Sequence, residues 1–187
     1  MPVSNEVLER TYAWPDERWV RLNMVVDEHG DVVGSDGTSN TLSSALDRKI
    51  LKLIRASSEL VIVGSRSVTT EGWHLPPRGR LAVVSRSHQL PPGCPDPSRV
   101  HIGALDEILH LASPLRRVVC EGGKSVVAAL LSLNAIDEIC LTINFTLARD
   151  DFELPQWMLG ASSAHWQCTS EIVEGSQAFT TWRRATE

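Results

Sequence analysis

Three short apolar runs, each stopped by small residues, constrain this chain more than anything else in it. Leu60 to Val63 is closed by Gly64, Leu81 to Ser85 repeats the signature, and Val118 to Cys120 runs straight into Glu121-Gly122-Gly123. Runs of four or so residues without polar alternation fit strands buried on both faces, the habit of parallel sheets. Parallel neighbours need long crossovers, so helices are expected between them.

The rest of the chain supplies those helices. Leu46, Ile50, Leu53 and Ile54 recur at helical spacing, and Ser44 with Asp47 three residues on resembles a capping box, which predicts a helix ending near Ser57 or Ser58. Leu105 to Ala112 and Ser125 to Leu133 read as two more. Trp19 to Val26 opens the fold as a strand that becomes fully apolar, Val100 to Ile102 is a short strand, and Ile139 to Leu147 is a long β-branched one. Asp27 to Ser39 is rich in Gly, Asp and Ser and reads as loop, as does the Pro/Gly segment Gln89 to Pro97. Pro155 breaks the chain after the long strand. His165 to Val173 and Gln177 to Arg183 alternate around Glu174-Gly175-Ser176, a hairpin signal. The expectation is an α/β fold with a mixed, mostly parallel sheet, helices on both faces and a C-terminal antiparallel hairpin. A polar N-terminal extension, 1–18, precedes a single domain, 19–187.

Charge and cysteine usage exclude several classes of function. The chain of 187 residues carries a net charge of −5 and shows no Lys/Arg run, so the footprint of nucleic-acid binding is missing. The first nineteen residues have neither the apolar core of a secretory signal nor the Arg-rich bias of a transit peptide, and no apolar run is long enough for a membrane span. Cys94, Cys120, Cys140 and Cys168 stand far apart and read as reduced thiols of a cytoplasmic protein. No His/Cys cluster has the spacing of a metal site. The pair Asp150 and Asp151 reads as solvated, and His110 on a helix face as structural.

Chemistry is expected where the parallel strands end. In Cys120-Glu121-Gly122-Gly123-Lys124-Ser125, glycines between a strand and a helix start let backbone N–H groups approach an anion at the positive end of the helix. A Walker A loop would need glycine where Val118 stands, and G-x-G-x-x-G is absent. Gly64-Ser65-Arg66-Ser67-Val68-Thr69-Thr70 reads as a strand-to-loop junction dense in hydroxyls, and Ser85-Arg86-Ser87 adds a guanidinium suited to a phosphate monoester. A dinucleotide needs separate contacts for pyrophosphate, ribose and, in NADPH, the 2′-phosphate. No G-x-S-x-G elbow points to a hydrolase.

Taken in order, these junctions resemble the reductase domain of the riboflavin-biosynthesis pyrimidine reductases, a branch of the dihydrofolate-reductase-like fold. The likeness runs from about Trp19 to about Leu147 and is carried by Val20 to Asp27, Asp36-Gly37-Thr38-Ser39, Leu53-Ile54-Arg55-Ala56, Val61 to Val68, Ser85-Arg86, Glu121-Gly122-Gly123 and Ile136-Asp137-Glu138. It implies NADPH as cofactor, lined by Asn23, Thr41, Ser67, Glu71 and the Gly122-Gly123-Lys124-Ser125 turn, with Ser85 and Arg86 at the 2′-phosphate. It places Ser39, Arg55, Leu75, Arg78 and Glu121 toward a 5-amino-6-(5-phosphoribosylamino)uracil-like substrate, reduced by hydride at the ribosyl C1, the arginines holding its phosphate. It also implies a homodimer. Three features depart from the family: Val25-Val26-Asp27-Glu28 replaces Ser-Leu-Asp-Gly, Glu71 stands where an Asp is usual, and Ala148-Arg149-Asp150-Asp151 replaces a glycine-rich stretch. No deaminase zinc motif is present. The residues also leave open a catalytically degenerate NADPH-binding protein with a sensor or partner role, or an interaction domain with no ligand.

Overall fold

In the computed structural model, which describes residues 3–146 and 151–185, eight strands form one sheet. In chain order the helices and strands are α1 (Asn5–Thr11), β1 (Trp19–Asp27), α2 (Ala45–Ala56), β2 (Leu60–Gly64), α3 (Ser65–Glu71), β3 (Arg80–Val84), β4 (Val100–Gly103), α4 (Leu105–Ala112), β5 (Arg117–Cys120), α5 (Lys124–Ser132), β6 (Glu138–Asn144), α6 (Gln156–Ala161), β7 (Trp166–Glu174) and β8 (Gln177–Arg184). The strand order is β4-β3-β2-β5-β1-β6-β8-β7. The first six are parallel; β8 pairs antiparallel with β6 and β7. The expected mostly parallel sheet and the C-terminal hairpin are both present, the hairpin turning on Gly175 and Ser176 between paired Glu174 and Gln177.

Both faces are covered. Alternate residues of β1, namely Val20, Leu22, Met24 and Val26, pack with Ile108 of α4, Val127, Leu130 and Leu131 of α5 and Met158 of α6. On the opposite face Val61, Val63, Leu81, Val83, Val119 and Cys140 meet Leu46, Ile50 and Ile54 of α2, Val68 of α3 and Leu8 of α1. Each fully buried Leu or Ile here contributes about 1.5–3 kcal/mol. The helix predicted from Ser44 starts there, its hydroxyl accepting from the Asp47 amide at 3.2 Å.

Several elements differ from the sequence-based expectation. The 3–18 segment carries a helix, α1, whose Leu8 is buried in the same core as α2. It is pinned by Arg21, a fully buried guanidinium that donates to Glu138 at 2.5 Å and to the Tyr12 and Ala13 carbonyls at 3.0 Å, with the Trp14 ring at 4.4 Å. A buried charge is tolerable only when so satisfied. The junction after Gly64, expected as loop, is instead helix α3: the chain turns into a helix with no intervening residue. Pro155 directly precedes α6, where its missing N–H costs no helical hydrogen bond. The long strand expected to reach Leu147 ends at Asn144; Leu147 to Asp150 lie outside the described residues.

Candidate functional site

Chain direction decides where a ligand can enter. After β1 and β2 the chain crosses to the face carrying α2 and α3, whereas after β4 and β5 it crosses to the face carrying α4 and α5. Because β5 lies between β2 and β1, the outgoing connections diverge there, and open α/β sheets take their ligands at the carboxyl ends of strands where connections diverge in this way.

Two glycine junctions meet at that edge of the sheet. The Gly64 amide donates to the Gly122 carbonyl at 3.1 Å and the Glu121 amide to the Ile62 carbonyl at 2.9 Å, which carries the β2–β5 ladder past the strand ends. Gly122 and Gly123 have φ of +117° and +81°, and a Cβ on Gly123 would stand 3.2 Å from the Gly64 Cα. Only glycine relieves both the dihedral and the contact. Gly123 caps α5 with no side-chain hydrogen bond, and its carbonyl accepts from the Val126 and Val127 amides. The first N–H groups of α5 are thus presented by bare backbone, a cradle that fits a pyrophosphate. Lys124 and Ser125, both exposed, flank it. Beneath the turn, burial pushes the Cys120 thiol up to about 12, so it is no nucleophile.

The third junction stands at the end of β3. Ser85 is buried, its amide donating to Gly103 and its hydroxyl sharing a 3.0 Å hydrogen bond with Ser87, while Arg86 is exposed and forms no ion pair among the described residues. Ser67 sits half-buried on α3, and Asn23 half-buried on β1, on the α2 face.

On the α2/α3 face, two of the residues expected to face substrate, Arg55 and Glu121, hold one another. Arg55 forms a bidentate pair with Glu121, its Nε donating to Oε1 at 2.6 Å and a terminal nitrogen to Oε2, and it also donates to the His74 carbonyl at 3.2 Å. Side-chain exposures of 15% and 8% make this more than a surface contact. Glu71, expected at the cofactor, accepts from the Ser39 amide at 2.8 Å and the Ser39 hydroxyl at 3.2 Å. Thr41, also expected there, donates to Asp36 at 3.3 Å. Leu75 is half-buried in the segment after α3. Arg78 stands apart from the Arg55–Glu121 pair: with Ser57, Glu59, Arg80 and Arg117 it lines a cleft of about 430 Å³ at the amino ends of β2, β3 and β5.

Two groups have no place in the sequence-based site. Asp47, read only as part of a capping box, is a buried carboxylate that accepts from the Ser43 hydroxyl at 2.5 Å and from the Thr142 hydroxyl at 2.7 Å, joining α2 to β6. Its signal was Thr142, a polar residue inside an apolar run. Trp157 of α6 contacts both the loop after β1 and Lys124. Among the described residues no group of His, Cys, Asp and Glu is placed to hold a metal ion, and no helix is long and apolar enough to cross a membrane.

No protein-family model matches the chain, and no curated protein sequence does. Solved structures do. A pyrimidine reductase-like protein from Corynebacterium diphtheriae superposes with a TM-score of 0.73 over 96% of this chain and 99% of its own, at 16% identity. The fold is that of the pyrimidine and dihydrofolate reductases. Dihydrofolate reductase from Enterococcus faecalis, solved with NADP(H), matches at a TM-score of 0.65, 18% identity, covering 90% of this chain and 97% of that one. A deaminase/5-amino-6-(5-phosphoribosylamino)uracil reductase from Thermotoga maritima matches at 0.65 and 15% identity over 96% of this chain, which spans 60% of that longer protein.

Proposed function

We propose that this protein is an NADPH-dependent reductase of a pyrimidine-type substrate, of the 5-amino-6-(5-phosphoribosylamino)uracil kind. The observation that carries the reading is the packed pair of glycine junctions, Gly64 against Gly122-Gly123, which leaves the start of α5 as bare backbone at the carboxyl ends of the strands of a reductase fold. Bound there, NADPH supplies the hydride. That hydride would go to C1 as the sugar-ring C1–O bond opens, and the freed oxygen would take a proton from the medium, giving a ribityl chain. The protein's own part is positioning: the glycine turn would seat the pyrophosphate, Arg86 would meet the 2′-phosphate, Arg55, Glu121 and Ser39 would face the substrate, and Glu71, which holds Ser39, would stand toward the cofactor. The same reading makes the chain a cytoplasmic homodimer whose partners are small molecules.

One observation favours a second reading. Arg55 and Glu121 satisfy each other, as do Ser39 and Glu71, so substrate must displace or span these pairs. A chain that binds NADPH and reduces nothing would have this appearance. NADPH oxidation in the presence of phosphoribosyl- and ribosyl-aminopyrimidines separates the two: turnover that requires the phosphorylated compound supports the reductase, and tight NADPH binding without turnover on any of them supports the second reading.

A further inference from the structure

Trp157 touches two separate parts of the cofactor end at once. Its indole N–H donates to the Gly30 carbonyl at 2.9 Å, and the Lys124 ammonium stands 5.0 Å from its ring centroid. Gly30 is held close to α6 by shape as well: its φ is +82°, and a Cβ there would lie 2.8 Å from the Pro155 Cβ. The turn that carries Gly30 is tied off by Asp27, whose carboxylate accepts from the His29 and Asp31 amides at 2.9 and 2.8 Å, and by the Thr146 hydroxyl, which donates to Glu28 at 2.8 Å. Lys124 is the first residue of α5 and forms no ion pair with a carboxylate among the described residues. An aromatic face fixes an ammonium without neutralising it, because the ring accepts charge without consuming the N–H donors that an anionic ligand needs.

We propose that Trp157 is a positioning residue for the cofactor: one indole holds Lys124 by its face and Gly30 by its edge, and so couples the turn after β1 to the phosphate-facing start of α5. The proposal rests on reading that helix start as the pyrophosphate seat. Lysine loses much rotamer freedom when it engages a ligand, and an ammonium already held near the helix start loses less. The ring therefore strengthens binding through Lys124, and the indole N–H keeps the 29–31 turn in place.

The test compares NADPH affinity, melting temperature and amide hydrogen exchange for the unmodified chain, Trp157→Phe, Trp157→Leu, Lys124→Ala and the Trp157→Leu/Lys124→Ala double variant. Phenylalanine keeps a ring and loses the N–H, so Kd stays within about twofold while exchange at Gly30 and Asp31 speeds up. Leucine loses both contacts and raises Kd about three- to fivefold. The double variant binds no more weakly than Lys124→Ala alone, because the ring acts through the ammonium. A purely structural role would instead lower the melting temperature and give independent losses that multiply in the double variant. Independent losses, a Trp157→Leu protein of unmodified affinity, or unchanged exchange at Gly30 and Asp31 in Trp157→Phe each overturn the proposal while leaving the cofactor reading intact. An unmodified chain that binds no NADPH overturns the cofactor reading itself, and the proposal falls with it.

Discussion

The two sides of the candidate site are built from different materials. On the α5 side the groups at the turn are backbone: Gly122 and Gly123 hold dihedrals that other residues resist, and the turn is tied to β2 by the strand ladder. On the α2/α3 side they are side chains, and in the chain alone those side chains are engaged with one another, Arg55 with Glu121 and Ser39 with Glu71. Backbone sites are preorganised at no cost at the moment of binding, whereas a paired side-chain site must exchange one set of partners for another. On the proposed reading, the glycine turn should therefore bind cofactor before substrate arrives and independently of the Arg55–Glu121 side.

Breaking the ion pair should give the largest effect. Arg55→Met strands Glu121, whose side chain is only 8% exposed, and should cost about 3 kcal/mol in denaturant unfolding. The double variant Arg55→Met/Glu121→Leu should cost less than Arg55→Met alone, since no uncompensated charge is left behind. Both should lose turnover while NADPH affinity stays within about twofold. Parallel loss of NADPH affinity would mean that the two sides are not independent.

A smaller effect is expected at the end of β3. Arg86 is exposed and forms no ion pair among the described residues, so a 2′-phosphate would gain a charge-assisted hydrogen bond partly screened by water, and Arg86→Ala should raise the Kd for NADPH by about tenfold, about 1.4 kcal/mol. NADH affinity should not change. Equal losses for both nucleotides would remove Arg86 from the 2′-phosphate and leave it a general contributor to surface charge.

Legibility in the sequence divides along the same line. The parallel strands were readable because burial on both faces leaves continuous apolar runs such as Leu60 to Val63, and the glycine turn was readable because only glycine serves at φ of +117° and +81°. Helix α3 was hidden because Ser65 to Glu71 offers a single buried apolar residue, Val68, and tertiary contact rather than propensity makes it helical. In α1 the polar majority masked Leu8, four residues after the Ser4 cap, and in α6 the proline that marked a break also marked a start. The pairing of Arg55 with Glu121 spans 66 residues of chain, and no local pattern announces it; each residue alone reads as free to meet a ligand. The reach of Trp157 to Lys124 and Gly30 is hidden for the same reason.

The most direct test of the account is a titration of the protein with NADPH, followed through its backbone amide resonances. Seating of the pyrophosphate on the glycine turn predicts that the amides of Gly64, Gly122, Gly123, Lys124 and Ser125 move first and furthest. Those shifts should be lost in Gly123→Val, whose side chain would be driven against the Gly64 backbone, with melting temperature measured alongside to show that the variant is folded. Shifts centred instead on the Arg78–Arg117 cleft at the amino ends of the strands, or a folded Gly123→Val protein that binds NADPH as tightly as the unmodified chain, would contradict it.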